Sequence, residues 1–202
     1  AQGALAGTAM HPRIPRQRAS SVSWVTTFQA GHGWSNPGAG YNGDDTSQFT
    51  FGSQSMSITT QGDAATFRYS GKNGQPNINA TGKDIVLTLR VSDITHLKQI
   101  VVIVGNAALT NHWGVSVWDS TQLTIATAGL RSGEWFTLRI PFGAAIDIAA
   151  GAPSKATITD TRVMVKDDGT PITVWVNGFG FAPSQTAYPN GVVTLAFDDV
   201  VG

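Results

Sequence analysis

Cysteine is absent from the 202-residue chain, and charged side chains are scarce. Without cysteine there are no disulfide bonds, no thiolate nucleophile and no cysteine-ligated zinc. Charged residues make up 13% of the chain, and 13 basic residues balance 13 acidic ones. A chain without net charge has no long-range attraction for nucleic acid or for an anionic membrane surface. No stretch reaches the roughly 18 consecutive apolar residues of a membrane span.

The chain is rich in glycine and small polar residues instead of charged ones. The chain has 23 glycines, together with many serine, threonine and asparagine residues. This composition is typical of a rigid β protein outside the cell, so we expect an extracellular location. A chain of this length buries roughly 70% of its unfolded surface, which is enough for a core without covalent staples.

The first twenty residues end in "HPRIPRQRAS". Pro12 and Pro15 exclude a regular helix there, so we predict that residues 1–20 form an extended arm. The arm carries three arginines, Arg13, Arg16 and Arg18. Two roles stay open for it, which are contact with other subunits and docking on its own domain.

Short alternating segments recur from residue 21 to residue 182, with glycine, asparagine and aspartate between them. "DIVLTLRVSD" lines up Ile85, Leu87, Leu89 and Val91 on one face, and "EWFTLRIPF" lines up Phe136, Leu138, Ile140 and Phe142. "IVVIVGN" is apolar on both faces, as in a central strand covered twice. We count about nine or ten such strands, and the one helical candidate is "GAAIDIAAGA". The pattern predicts an all-β, jelly-roll-like sandwich of two antiparallel sheets. Residues 183–190 then read as a linker, and residues 191–202 as the first strand of another domain.

The sandwich region resembles the jelly-roll carbohydrate-binding modules. The resemblance lies in the order of "GHGWSNPG", "DDTSQFTFGSQSMSITT", "SGEWFTLRIPF" and "TVWVNGFGF" across residues 21–182. Asn177 stands where those modules usually have aspartate. The resemblance implies a module that engages glycan, with cell-wall polysaccharide as its partner.

Tryptophan and tyrosine rings are the candidate sugar-binding groups, because flat aromatic faces stack on the apolar faces of sugar rings. Strand alternation puts three tryptophans opposite the aliphatic rows, and a Gly-rich loop carries two further rings. The candidates are Trp118, Trp135, Trp175, Trp34 and Tyr41. The alternative is that these rings pack under loops or in a subunit interface. Trp24 and Trp113 fall on the core rows instead.

The same Gly-rich loop contains "NGDDTSQ", in which Asp44 and Asp45 are adjacent. Sandwich modules often carry calcium, so these aspartates are candidate calcium ligands. Calcium takes six to eight oxygen ligands, and only two carboxylates are present here, so the pattern favours a turn.

The last dozen residues, "VVTLAFDDVVG", resemble the first strand and T-F-D-D-G motif of the polysaccharide deacetylases. The resemblance implies that Asp198 is the catalytic base and that Asp199 binds a divalent metal, zinc, in an α/β domain. Val200 replaces the glycine of that motif. The family's H-x-x-x-H motif has no counterpart among His11, His32, His96 and His112, so we expect the rest of that domain to follow residue 202.

Three functions remain open from the sequence. The first is a module of a phage tail-tip or tail-fibre (minor tail) protein that acts at the host cell wall, with other tail subunits as partners in a homotrimer. The second is the accessory carbohydrate-binding module of a secreted bacterial metal-dependent polysaccharide deacetylase. The third is a structural spacer that binds only its neighbours. In each case this stretch alone is not expected to be an enzyme.

Overall fold

The computed structural model describes residues 22–36, 39–119, 131–140, 142 and 148–184. These residues form eleven strands and one short 3-10 turn at Ile94–His96. Among them there is no helix with the length and apolar character needed to cross a membrane. The strands are β1 Ser23–Thr26, β2 Tyr41–Asp45, β3 Ser55–Thr59, β4 Arg68–Lys72, β5 Lys83–Val91, β6 Leu97–Asn106, β7 Asn111–Asp119, β8 Trp135–Ile140, β9 Ile148–Ala150, β10 Asp160–Asp167 and β11 Thr173–Pro183.

The strands form two antiparallel sheets. Sheet I has six strands, in the order β2-β3-β11-β5-β8, with β1 also paired to β11. Sheet II has five strands, in the order β4-β10-β6-β7-β9. The predicted all-β architecture of two antiparallel sheets is therefore confirmed.

The core lies between the sheets, where the predicted rows face inward. Ile85, Leu87, Leu89 and Val91 of β5 are fully buried, and the apolar residues of β8 lie opposite them in register. Each such side chain contributes roughly 1.5–3 kcal/mol when it leaves water. The row of β8 consists of Phe136, Leu138 and Ile140, and Phe142 follows it in the core.

Strand β6 is covered on both faces, as its sequence predicts. Val102 faces the main core, whereas Val101 and Ile103 face the opposite way and pack with Leu109 in a second cluster. Phe67 and Met164 pack against this second cluster. A strand buried on both faces explains why "IVVIVGN" lacks alternation.

Three local expectations are wrong. Trp24 was expected in the core but is 40% exposed, because β1 pairs with β11 so that Trp24 lies opposite Gly180 on the outer face of sheet I. The Gly-rich loop contains strand β2. Ile148–Ala150, inside the helical candidate, pair with β7 as strand β9.

Several predicted segments lie outside the described residues. These are the arm at 1–20, most of the linker, and the final segment with Asp198 and Asp199. Strand β11 continues to Pro183, the first residue of the predicted linker.

Candidate functional site

Strand β11 places large and small residues on opposite faces near its end. In "NGFGF", Phe179 and Phe181 point into the core, while Gly178 and Gly180 lie on the outer face of sheet I. A Cβ at position 178 would lie 2.7 Å from the Trp24 ring. A Cβ at position 180 would lie 2.7 Å from the main-chain oxygen of Ser23. The two glycines therefore make a floor on which strand β1 and the Trp24 indole rest.

A second ring lies on this floor beside Trp24. The centroids of Trp24 and Phe51 are 5.7 Å apart, and the Phe51 ring also approaches Gly178. Phe49, two residues before Phe51, is 43% exposed. Within the described part of the chain, Trp24 and Phe49 are the two exposed large apolar side chains.

Two predicted tryptophans lie on the same outer face, on either side of an arginine. Register places Trp175 of β11 opposite Arg90 of β5, and Arg90 opposite Trp135 of β8. The guanidinium carbon of Arg90 is 5.5 Å from the centroid of the Trp175 ring. Arg90 also donates to the side-chain oxygen of Gln48. We call this surface, made of Trp24, Phe51, Trp175 and Trp135, the aromatic face.

Asp45 anchors the edge of the Trp175 indole. Its Oδ2 accepts from Trp175 Nε1 at 3.0 Å, and its Oδ1 accepts from the main-chain nitrogen of Ser47 at 2.8 Å. Burial raises the pKa of Asp45, but hydrogen bonds from Ser47, Ser57 and Trp175 outweigh it and lower the pKa below its ordinary value. The carboxylate is therefore charged at neutral pH and holds the ring in place.

Asp44 has a different partner. Its Oδ1 accepts from Gln54 Nε2 at 2.6 Å, so the two neighbouring carboxylates serve separate contacts. In the described part of the chain, no group of three or more acidic or histidine side chains is arranged to hold a metal ion. The side chains described here do not complete a calcium shell, and calcium at Asp44 and Asp45 stays a prediction.

Trp34 is not on the surface where a sugar would reach it. It is 4% exposed, and its ring lies 5.1 Å from Phe28 and 5.6 Å from Phe179, measured between centroids. Tyr41 packs against the same core and donates its hydroxyl to the Trp34 carbonyl at 2.6 Å. Burial raises the pKa of the Tyr41 phenol. The Gly-rich loop folds back on the core, so the rings of Trp34 and Tyr41 pack against core residues.

The remaining predicted site residues are described only in part or not at all. The backbone of Trp118 pairs with Ile100, and a register shift before it interrupts the alternation counted from Trp113. The Trp118 side chain lies outside the described residues, as do Asp198 and Asp199.

Sheet II presents a different outer face. The guanidinium carbon of Arg162 lies 4.4 Å from the Tyr69 ring centroid, and Lys166 Nζ lies 4.4 Å from the Phe67 ring centroid. Each ring is thus paired with a cation from β10.

Sequence reasoning missed three residues of the outer face of sheet I. These are Trp24, Phe51 and Arg90. One signal was available in "NGFGF", because glycines at outward positions of a central strand indicate that another group approaches closely. Nothing comparable marks Phe51, which lies in a loop.

No protein-family model matches the sequence, and no curated protein matches it. Among solved structures, the fold is similar to the family 11 carbohydrate-binding module of the cellulosomal cellulase Lic26A-Cel5E of Clostridium thermocellum. That match has a TM-score of 0.53 and 12% identity, and covers 85% of this chain and 100% of the module.

Two longer proteins contain a similar portion. PfGH50B matches with a TM-score of 0.49 and 8% identity over 82% of this chain and 24% of its own length. The agarase AgWH50C matches with a TM-score of 0.47 and 9% identity over 65% of this chain and 22% of its own length. The chain thus spans a quarter or less of either protein. At these identities the likeness establishes the fold, which is a two-sheet sandwich like that of the family 11 module.

Proposed function

We propose that this chain is a polysaccharide-binding module and that the glycan lies across the aromatic face of sheet I. One observation carries the proposal. Four aromatic side chains share the outer face of sheet I, namely Trp24, Phe51, Trp175 and Trp135, and Trp24 among them is 40% exposed. The similarity of the fold to a carbohydrate-binding module supports it.

The chemistry of this face suits a neutral sugar chain. Aromatic rings cover the apolar faces of pyranose rings, and their rigidity keeps the entropy cost of binding low. Arg90 and Asp45 lie between and beside the rings, within the same surface, and offer charged donors and acceptors for hydroxyl groups. The absence of net charge leaves no general preference for an anionic polymer.

The test is calorimetric titration with soluble cell-wall and chitin-like polysaccharides. Trp175→Ala and Trp135→Ala should each weaken binding about 30-fold, the loss expected when a central aromatic contact is removed. Tyr69→Ala, which removes a partly exposed ring from sheet II, is the matched control and should bind as the wild type does. If Tyr69→Ala abolishes binding and the tryptophan variants do not, the glycan lies on the other sheet. If the wild type binds none of the polysaccharides, the proposal fails.

The biological setting is a finer part of the proposal. We propose that the module acts at the bacterial cell wall in a phage tail-tip or tail-fibre protein, alongside other tail subunits in a homotrimer, and leads into a metal-dependent polysaccharide deacetylase. Its support is the deacetylase-like stretch with Asp198 and Asp199, for which zinc is the expected metal, and the Pro/Arg arm. The secreted deacetylase with an accessory module is the alternative.

Two measurements separate these settings. The tail protein should be a trimer by light scattering, whereas the accessory module should be a monomer. Both require an H-x-x-x-H motif in the coding sequence after Gly202. Without that motif, Asp198 and Asp199 have no metal-binding partners and the deacetylase part of the proposal fails.

A further inference from the structure

The loop of residues 46–54, which we call the cover loop, lies over the outer face of sheet I. It carries Phe51 of the aromatic face and the exposed Phe49, and its Gln48 side chain bonds to Arg90. The loop has no strand of its own, so its position depends on side-chain contacts. The main contact comes from Asn177, the extra residue in β11 where the register with β5 shifts between Val176 and Gly178.

The buried Asn177 side chain uses its whole hydrogen-bonding capacity. Its Oδ1 accepts from the main-chain nitrogens of Thr50 and Phe51 at 2.6 and 2.8 Å. Its Nδ2 donates to the main-chain oxygens of Gln54 and Thr27 at 2.9 and 3.2 Å. One amide therefore joins the middle and the end of the cover loop to the segment after β1.

A second amide, from Gln29, meets the same carbonyl groups. Its Nε2 lies 3.0 Å from the oxygen of Thr27 and 3.1 Å from the oxygen of Gln54. Its Oε1 accepts from the main-chain nitrogen of Ser53 at 2.9 Å. The loop closes tightly over this group at Gly52, where an added Cβ would lie 2.2 Å from the Gln29 amide.

We propose that Gln29 and Asn177 form an amide latch that fixes the cover loop, and that both are positioning residues for glycan binding. This inference rests on the proposed function. Each latch residue has to present an oxygen to N–H groups and hydrogens to carbonyl groups at once, which an uncharged amide does and a carboxylate does not. The latch holds Phe51 against Trp24, and with it the shape of the aromatic face.

Asn177→Asp tests the latch, because it keeps the size of the side chain and removes both donors. At neutral pH the carboxylate faces the carbonyl oxygens of Thr27 and Gln54, so the loop should open and glycan should bind about tenfold more weakly. Burial beside carbonyl oxygens raises the pKa of this new carboxyl. Of the charged groups bonded to the cover loop, Asp44 at Gln54 and Asp45 at Ser47 add to that effect, and Arg90 at Gln48 opposes it. Binding by the variant should therefore recover as the pH falls, since the protonated acid regains one donor.

Hydrogen exchange supplies a readout that does not need the glycan. In Asn177→Asp, the amides of Thr50 and Phe51 should lose protection while the amides of β5 and β6 keep theirs. Gln99→Glu is the matched control, because Gln99 donates to Ser116 Oγ at 3.1 Å on sheet II. It should alter neither loop exchange nor glycan binding.

The outcomes separate the latch from the proposed function. Unchanged exchange at Thr50 and Phe51 overturns the latch. Faster exchange with unchanged glycan affinity overturns the positioning role of the latch. Faster exchange in the variant, together with a wild type that binds no glycan, supports the latch but contradicts the proposed function. If Asn177→Asp does not fold, Gln29→Glu replaces it as the test of the latch. This variant places the same charge at the half-buried side of the latch and should likewise speed hydrogen exchange at Thr50 and Phe51.

Discussion

On both sheets, alternate residues of each strand point outward, but the aromatic rings on the two outer faces are held by different contacts. On sheet I, rings rest on a floor of glycine and are held by a loop that an amide latch ties down. On sheet II, the rings of Tyr69 and Phe67 are paired with long, flexible cations from β10. Trp24 and Phe51 are held by backbone and buried amides and are preorganised for a ligand, whereas Tyr69 and Phe67 have to shed the contact with a flexible cation first. Trp175 of sheet I also has a cation beside it, but Arg90 is bonded to Gln48 and the indole is bonded to Asp45.

The largest effect should come from the core that both faces share. Phe179 is fully buried between Trp34 and Phe181, with ring centroids 5.6 and 5.7 Å away. Phe179→Ala should lower the free energy of unfolding by about 3–5 kcal/mol, as measured by urea denaturation. Both faces should lose order together, in contrast to Tyr69→Ala, which should cost about 1 kcal/mol or less. A loss for Phe179→Ala no larger than that for Tyr69→Ala would contradict the packing described here.

The next largest effect should distinguish the two outer faces, because it comes from substitution of Gly178 and Gly180, which lie on sheet I alone. Gly180→Ala should destabilise the chain by about 1–3 kcal/mol, since the added methyl group meets the main chain of strand β1. Gly178→Ala meets the ends of the Trp24 and Phe51 rings instead. Trp24 is 40% exposed and is free to swing outward, so this variant should cost less stability and still weaken glycan binding.

Urea denaturation and calorimetric titration of both glycine variants check this ordering. Retention of full glycan affinity in Gly178→Ala would show that the position of Trp24 does not matter for binding. Equal destabilisation by the two substitutions would contradict the distinction between main-chain and ring contacts.

The sequence was sufficient to predict the inward rows, because a strand with one buried face has a strict period of two. Phe136, Leu138 and Ile140 of β8 follow that period and are buried, whereas the residues between them are partly exposed. The same reasoning failed for Trp24, because its direction depends on a pairing with Gly180 more than 150 residues away and on the register shift that follows it. Local alternation contains no information about either.

The outward direction of the candidate rings was predictable only on regular strands. Trp175 and Trp135 were predicted to face outward because their neighbours in sequence are core residues, and the structure puts both beside Arg90 on the outer face of sheet I. Trp34 was misplaced because a Gly-rich loop has no period, and this one folds back on Phe28 and Phe179.

Asn177 shows what a single departure from a resembled pattern means physically. The modules that the sequence resembles usually have aspartate at this position. Here the side chain donates to two main-chain carbonyl groups, and this requires the amide. The asparagine at position 177 is visible in the sequence. Its two carbonyl acceptors could not be predicted, because they lie 150 and 123 residues away along the chain.

The smallest effect should come from lowering the pH, and it should change only the outer face of sheet I. Asp45 holds the Trp175 indole, and its pKa is lowered because hydrogen bonds from Ser47, Ser57 and Trp175 outweigh the opposing effect of burial. A lowered pKa means that the contribution of Asp45 is present above its unfolded-state value and is lost as the pH falls through its folded-state value. Wild-type glycan affinity should therefore stay flat from neutral pH down to the ordinary aspartate range and weaken only below it.

Asp45→Asn should bind less tightly at neutral pH and should lack this acid-dependent loss, since its side chain does not titrate. The pairs Arg162–Tyr69 and Lys166–Phe67 of sheet II contain no carboxylate, so their ring environments should not change over the same interval. Titration of the Asp45 carboxyl carbon by NMR, alongside affinity measurements at each pH, checks the sign directly. A midpoint at or above the ordinary aspartate value would mean that burial, and not the hydrogen bonds to Ser47, Ser57 and Trp175, dominates at this carboxylate. The anchoring role of Asp45 on the aromatic face would then be wrong.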